Sequence, residues 1–260
     1  MASIKPFLIN DSTPNDLLFP AGLGRGLEPG NGFGTAIGYA GVAEPFPSDR
    51  LIPRSEWQAR IEERKARKLT TRDMARKAGW AVKNQASTPY CWVNAPTACT
   101  ELVRLRQGQK HVVLSPASAG APIKNFRSVG GWGREALEWI VQYGLVPVDK
   151  WPANAIDRRY YTDENRAIAL NYRVDEWYVL KNRSLEEQVS AILRGFVLAV
   201  GFNWWGHEVT AADVDWIDGE VVTVIANSWG PTWQDQGWGI LQGNRQLSDD
   251  TVCPRTALAA

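Results

Sequence analysis

Cysteine is scarce in this chain: Cys91, Cys99 and Cys253 are the only three in 260 residues. An odd and widely spaced set builds no disulfide framework and fits no zinc-ligand spacing, which points to a reducing compartment. Charge of one sign is lacking too. The 29 basic and 28 acidic side chains are mixed along the sequence and leave a net charge of +1, so nothing draws a nucleic acid. No run reaches the roughly 18 apolar residues that a membrane-spanning helix needs. The opening residues, Met1-Ala2-Ser3-Ile4-Lys5-Pro6, lack the charged and apolar regions of a secretory signal. The expectation is a cytoplasmic protein, free or built into a larger particle, with no membrane or nucleic-acid partner and no metal or cofactor.

Apolar residues make up 44% of the chain, enough for a large core in one domain or two modest lobes. Thirteen tryptophans are read as packing rather than a sugar-stacking surface. Residues 1–50 stand apart. They crowd Gly22, Gly24, Gly26, Gly30, Gly32 and Gly34 among prolines and show no sustained period. Such a stretch loses too much backbone entropy on ordering to make its own core. It reads as an arm, with residues 51–260 as the domain. The arm can be a disordered tail, a pro-segment over a cleft, or a strap gripping a partner.

Helical patterns cover Arg54 to Lys68 with Ser55 as cap, Cys91 to about Arg106, and about Arg134 to Tyr143 ending at Gly144. Pro96 should kink the second by removing an N–H. A fourth helix opens with the capping box Ser184-x-x-Glu187 and buries Leu185, Val189, Ile192 and Leu193. Then the period shortens. Phe196–Phe202 reads as a buried strand, His207–Asp215 and Glu220–Asn227 as a hairpin across Asp218-Gly219, and Gly237–Gln242 as a further strand. Helices first and an antiparallel sheet afterwards make an α+β fold of two packed lobes.

Cys91 falls at a helix start, where unpaired backbone N–H groups and the helix dipole favour thiolate over thiol. A thiolate there needs an imidazole, and His207 is one of only two histidines. A two-stranded hairpin returns to its starting level, so Asn227 can meet His207 and orient its ring. The Trp229 indole can then shield that bond from water.

Gln85-x5-Cys91-Trp92, the run Asn227-Ser228-Trp229-Gly230-x-x-Trp233, Gly237, Leu114-Ser115 and Gly130-Gly131 together resemble the papain-like cysteine peptidases, over roughly residues 79–245. The resemblance implies a helical lobe and an antiparallel β-barrel-like lobe with a cleft between them. It implies Cys91 as nucleophile, His207 as proton carrier, Asn227 as orienting group and Gln85 in the oxyanion hole. Gly130, Gly131 and Trp229 would line the path of a polypeptide substrate. Some positions depart from the family. Thr88 stands where a structural cysteine is usual, Pro89 and Tyr90 replace small residues beside the thiol, Asn94 replaces an aromatic, and Gly206 precedes the histidine. Two functions follow as expectations: a thiol endopeptidase, or an assembly protein, of a viral particle for instance, that keeps the fold and binds neighbours through residues 1–50. A carbohydrate-binding module would leave the Gln85, Cys91, His207 and Asn227 spacing as coincidence.

Overall fold

The computed structural model describes residues 7–28 and 42–258. The elements are β1 (Leu8–Ile9), α1 (Asn15–Leu18), β2 (Val42–Pro45), α2 (Arg54–Ala66), α3 (Thr71–Lys77), α4 (Cys91–Arg106), α5 (Ala117–Ile123) and α6 (Gly133–Tyr143). Next come α7 (Asp163–Ala169), β3 (Val174–Val179), α8 (Leu185–Leu193), β4 (Leu198–Phe202), β5 (His207–Ile217), β6 (Glu220–Ala226), β7 (Trp238–Leu241) and β8 (Asp250–Ala257). One eight-stranded sheet runs in the order β1-β7-β6-β5-β4-β8-β3-β2. Its six inner strands are antiparallel, as the sequence implies, but β1 joins β7 and β2 joins β3 in parallel. The fold is α+β.

Side-chain alternation on the strands divides the core in two. On β4, Leu198, Val200 and Phe202 face a cluster with Trp57 and Ile61 of α2 and Val189 and Ile192 of α8. Ala199 faces the other way, into a cluster with Trp92, Val93 and Leu102 of α4 and Leu137 and Ile140 of α6. Helix α4 is the centrepiece of that second side. Fourteen of its residues are buried, Cys91 through Arg104, so it is enclosed nearly all round, and its buried polar residues Asn94, Thr97, Thr100 and Glu101 each hydrogen-bond within the core.

Several local expectations hold and some shift. Helix α4 runs as one element through Pro96. Gly144 ends α6 at φ 75°. Asp218 and Gly219 both take positive φ, 51° and 84°, the requirement of the two-residue turn that best matches strand twist. Helix α2 begins at Arg54 with Pro53 before it, so Ser55 lies inside and caps nothing; a proline at the boundary pre-sets the backbone without a side-chain acceptor. Ser184 does accept from the Glu187 N–H, but the Glu187 carboxylate turns away to the Lys181 N–H, so the box is half made. Leu185 is only half-buried. The strand expected from Phe196 begins at Leu198, after Gly195 at φ 88°. Strands β3 and β8 had no sequence expectation. Within residues 1–50, Leu8–Ile9 and Val42–Pro45 are strands of the main sheet. Among the described residues no helix is long and apolar enough to cross a membrane.

Candidate active site

Helix α4 starts at Cys91 after Tyr90, whose backbone (φ −110°, ψ 25°) leaves the first turn with no side-chain cap. The entry is fixed otherwise. The Tyr90 hydroxyl donates to the Arg127 carbonyl at 2.9 Å and the Asn94 amide donates to the Tyr90 carbonyl at 2.8 Å. Asn94 therefore ties down the first turn, which explains an amide at a position where the resemblance leads one to expect an aromatic ring. The thiol of Cys91 is fully buried, and the backbone N–H groups of Glu208 and Gly26 face it.

His207 opens β5 and Asn227 follows the end of β6. The ladder returns as the hairpin requires, and His207 Nε2 lies 2.8 Å from Asn227 Oδ1. That same oxygen accepts the Ser228 N–H at 2.8 Å. A backbone N–H can only donate, so the shared atom is the carbonyl oxygen, and Nε2 must carry the hydrogen. Nδ1 is left as the basic nitrogen; it has no hydrogen-bond partner among the described residues. Trp229 stacks on the imidazole at 4.6 Å and 22°, and Trp205 meets it edge-on at 5.0 Å. Gln85 is fixed from both ends: its N–H donates to the Ser228 carbonyl at 2.8 Å and its Oε1 accepts from the Ser228 hydroxyl at 2.5 Å. Its Nε2 is thereby turned toward the cleft.

The cleft is filled by the protein's own residues 22–28. The Gly24 carbonyl accepts from Gln85 Nε2 at 3.0 Å and from the Trp229 indole N–H at 2.8 Å. The Gly26 N–H donates to Cys91 Sγ at 3.2 Å. On the far side Gly131 donates to the Gly26 carbonyl at 2.9 Å and accepts from the Glu28 N–H at 3.2 Å, so the segment runs parallel to residue 131. Close approach dictates the glycines. A Cβ on Gly24 would stand 1.9 Å from the Thr88 carbonyl oxygen, and one on Gly26 would stand 2.1 Å from that of Pro89. Gly130 leaves room in turn, since a Cβ there would meet the Gly26 carbonyl at 2.4 Å. Arg25 donates to the Trp205 carbonyl at 3.1 Å and lies 4.5 Å over the Phe19 ring.

With the segment seated, both candidate reacting groups are neutral. Burial, then the nearby Glu208 carboxyl, push the Cys91 thiol up to about 12. Burial pulls His207 down to about 3, the Asn227 hydrogen bond opposing this and the Arg25 charge adding to it. This is the desolvation pattern, in which each group keeps its uncharged form.

The residues singled out by sequence thus share one cleft: Gln85, Cys91, His207, Asn227, Trp229, Gly130 and Gly131. No sequence signal gave a place in the cleft to Trp205, Ser228, Glu208 or the Gly24-Arg25-Gly26 stretch. A Gly-x-Gly in an arm is a weak mark, because its partners Thr88 and Pro89 lie more than 60 residues on.

No protein-family model matches the chain. Cathepsin L 1 of Paramecium tetraurelia is 24% identical over 184 residues, 60% of this chain and 54% of that protein; the chain thus spans about half the length of this curated relative. Among solved structures, digestive procathepsin L 3 of Tenebrio molitor larval midgut superposes with a TM-score of 0.59 at 16% identity, over 68% of this chain and 66% of that one. Bromelain from Ananas comosus, solved with the E64 inhibitor, gives 0.59 at 18% identity, over 74% of this chain and 98% of its own. The likeness to these structures is one of fold.

Proposed function

We propose that this chain, similar in sequence to cathepsin L 1 and in fold to procathepsin L 3 and bromelain, hydrolyses peptide bonds with Cys91 as nucleophile, and that residues 22–28 hold it latent. One observation carries the reading: the cleft beside Cys91 already holds an extended peptide, with a backbone carbonyl on Gln85 Nε2 and backbone pairing on Gly131.

In the reaction so read, His207 Nδ1 takes the Cys91 proton once the segment has withdrawn. The sulfur then attacks the substrate carbonyl carbon. Gln85 Nε2 and the Cys91 N–H, at the start of α4, receive the developing oxyanion. His207 returns the proton to the leaving amine, and the C–N bond breaks to leave a thioester. Water, losing a proton to His207, attacks the thioester and releases the acid and the thiol. Asn227 holds the Nε2 hydrogen throughout, which keeps Nδ1 the basic nitrogen. The substrate is a polypeptide. Residues 51–260 form the peptidase domain and 1–50 the arm; a strap gripping a neighbour would first have to give up the cleft contacts of 22–28.

The test uses the glycine contacts. Gly24→Ala with Gly26→Ala drives a methyl into the backbone of Thr88 and Pro89 and should expel the segment. An epoxide inhibitor of papain-like enzymes should then label Cys91 much faster than in the wild type, and Cys91→Ala should abolish the label. Absence of Cys91-dependent labelling in the double variant across acid to neutral pH would sink the proposal.

A further inference from the structure

Beneath Leu27 the sheet carries three residues in direct register: Glu208 on β5, Gly201 on β4 and Asp250 on β8. Directly opposed residues of a ladder project to the same face. Gly201 lies on the face of Ala199, the side of α4, so both carboxyl side chains flank the gap left by its missing Cβ. Leu27 sits in that gap. A Cβ on Gly201 would stand 3.1 and 3.2 Å from the Leu27 Cδ atoms and 3.4 Å from Asp250 Cβ. Glu208 is 1% exposed and Asp250 3%. Arg134 lies close enough to Asp250 to favour its charge. Glu208 is less well served: it accepts from the Gly133 N–H, but its Oε2 is buried without a partner among the described residues. Burial and the neighbouring Asp250 raise the Glu208 carboxyl well above its ordinary range, and burial lifts Asp250 to about 6.

An apolar side chain is a poor complement to such a site. A buried carboxyl with an unpaired oxygen is stabilised by a donor, and most by a charged one. Resting on the peptidase reading, we propose that this is a specificity pocket for a cationic side chain: a Lys or Arg of the substrate enters over Gly201 and places its charged head on Glu208. Leu27 fills the volume but leaves the acid unsatisfied. The latent segment is therefore a stopper that a basic peptide can outcompete, and Glu208 is a specificity-determining residue.

Substitutions at Leu27 in the full chain test the pocket without any turnover. Lys and Gln have similar length and differ in charge, and the readout is the iodoacetamide alkylation rate of the Cys91-bearing peptide by mass spectrometry. Leu27→Lys should keep Cys91 as protected as in the wild type or more so, whereas Leu27→Gln should loosen the segment and speed alkylation about tenfold or more. Adding Glu208→Gln to Leu27→Lys should erase the difference. Equal rates for the Lys and Gln variants would overturn the proposal. A second arm profiles a peptide library with the Gly24→Ala, Gly26→Ala variant: one position should select Lys and Arg, and Glu208→Gln should abolish that selection. Cleavage with no basic selection also overturns it. If no peptide is cleaved, the peptidase reading fails, and the alkylation comparison still decides the pocket.

Discussion

With residues 22–28 seated, burial pushes the Cys91 thiol up to about 12 and pulls His207 down to about 3, so both favour their uncharged forms at neutral pH. Linkage gives a sign. His207 is depressed from its ordinary 6.5, so between that value and about 3 any state that exposes it binds a proton the seated state does not. Seating is thus weakened by His207 as pH falls through this window, by about 1.4 kcal/mol per unit at most. Glu208 and Asp250, with raised values, work the other way. A comparison with His207→Gln isolates the histidine: hydrogen exchange of residues 22–28, corrected for intrinsic rates, should show protection falling in wild type relative to the variant below about pH 6.5. Identical pH dependence in both would refute the assignment. Once the segment is expelled, Gln85→Ala should lower kcat by about 10²–10³, the cost of one oxyanion donor, with a smaller change in KM. Asn227→Ala should lower kcat as well, because the His207 tautomer is no longer fixed.

At the scale of elements, α4 depends on a buried ionic network that also places Gln85. The Glu101 carboxylate accepts from Lys83, from the Leu114 N–H at 2.5 Å and from the Trp80 indole at 2.7 Å, and Lys83 donates to the Leu114 carbonyl at 3.0 Å. Lys83 stands two residues before Gln85, so the network anchors the Gln85 side of the cleft to the helix that carries the thiol. Glu101→Ala should cost about 3–5 kcal/mol by leaving a buried ammonium unpaired, while Lys83→Met with Glu101→Leu should cost far less; urea unfolding reads both. Legibility in the sequence followed the locality of the signal. Helix α4, the β5–β6 hairpin and the Asn227-Ser228-Trp229 run were all visible because each is specified by neighbours in sequence. Strand β3 was not, since its partly exposed Asp175 and Glu176 break the apolar pattern, and neither was β8, whose Pro254 argues against a strand inside a sheet. The course of 22–28 was invisible for a different reason. Its glycines have no period, and the backbone they approach lies far along the chain.

For the whole molecule, the described parts of the N-terminal fifty residues behave as two edge strands with a cleft-filling stretch between them. Strand β1 covers one edge of the sheet beside β7 and β2 covers the other beside β3. Exposed edges invite pairing with other chains, so a truncation that removes residues 1–50 should do more than open the cleft: it should raise aggregation, measurable by light scattering at matched concentration. Gly24→Ala with Gly26→Ala, which leaves both strands, should open the site without that penalty. Equal scattering from the two proteins would show that the edges need no cover.

Those two anchors also fix the kind of latency available. A segment held at both ends on the body it blocks can lift away yet never diffuse off. Its return is an intramolecular event, with an effective concentration on the order of millimolar. The closed fraction is then a constant of the molecule, the same in a dilute extract as in a concentrated compartment. The wild-type Cys91 alkylation rate constant should accordingly stay unchanged over a hundredfold dilution, and a free peptide of residues 22–28 should restrain the expelled variant only near millimolar amounts.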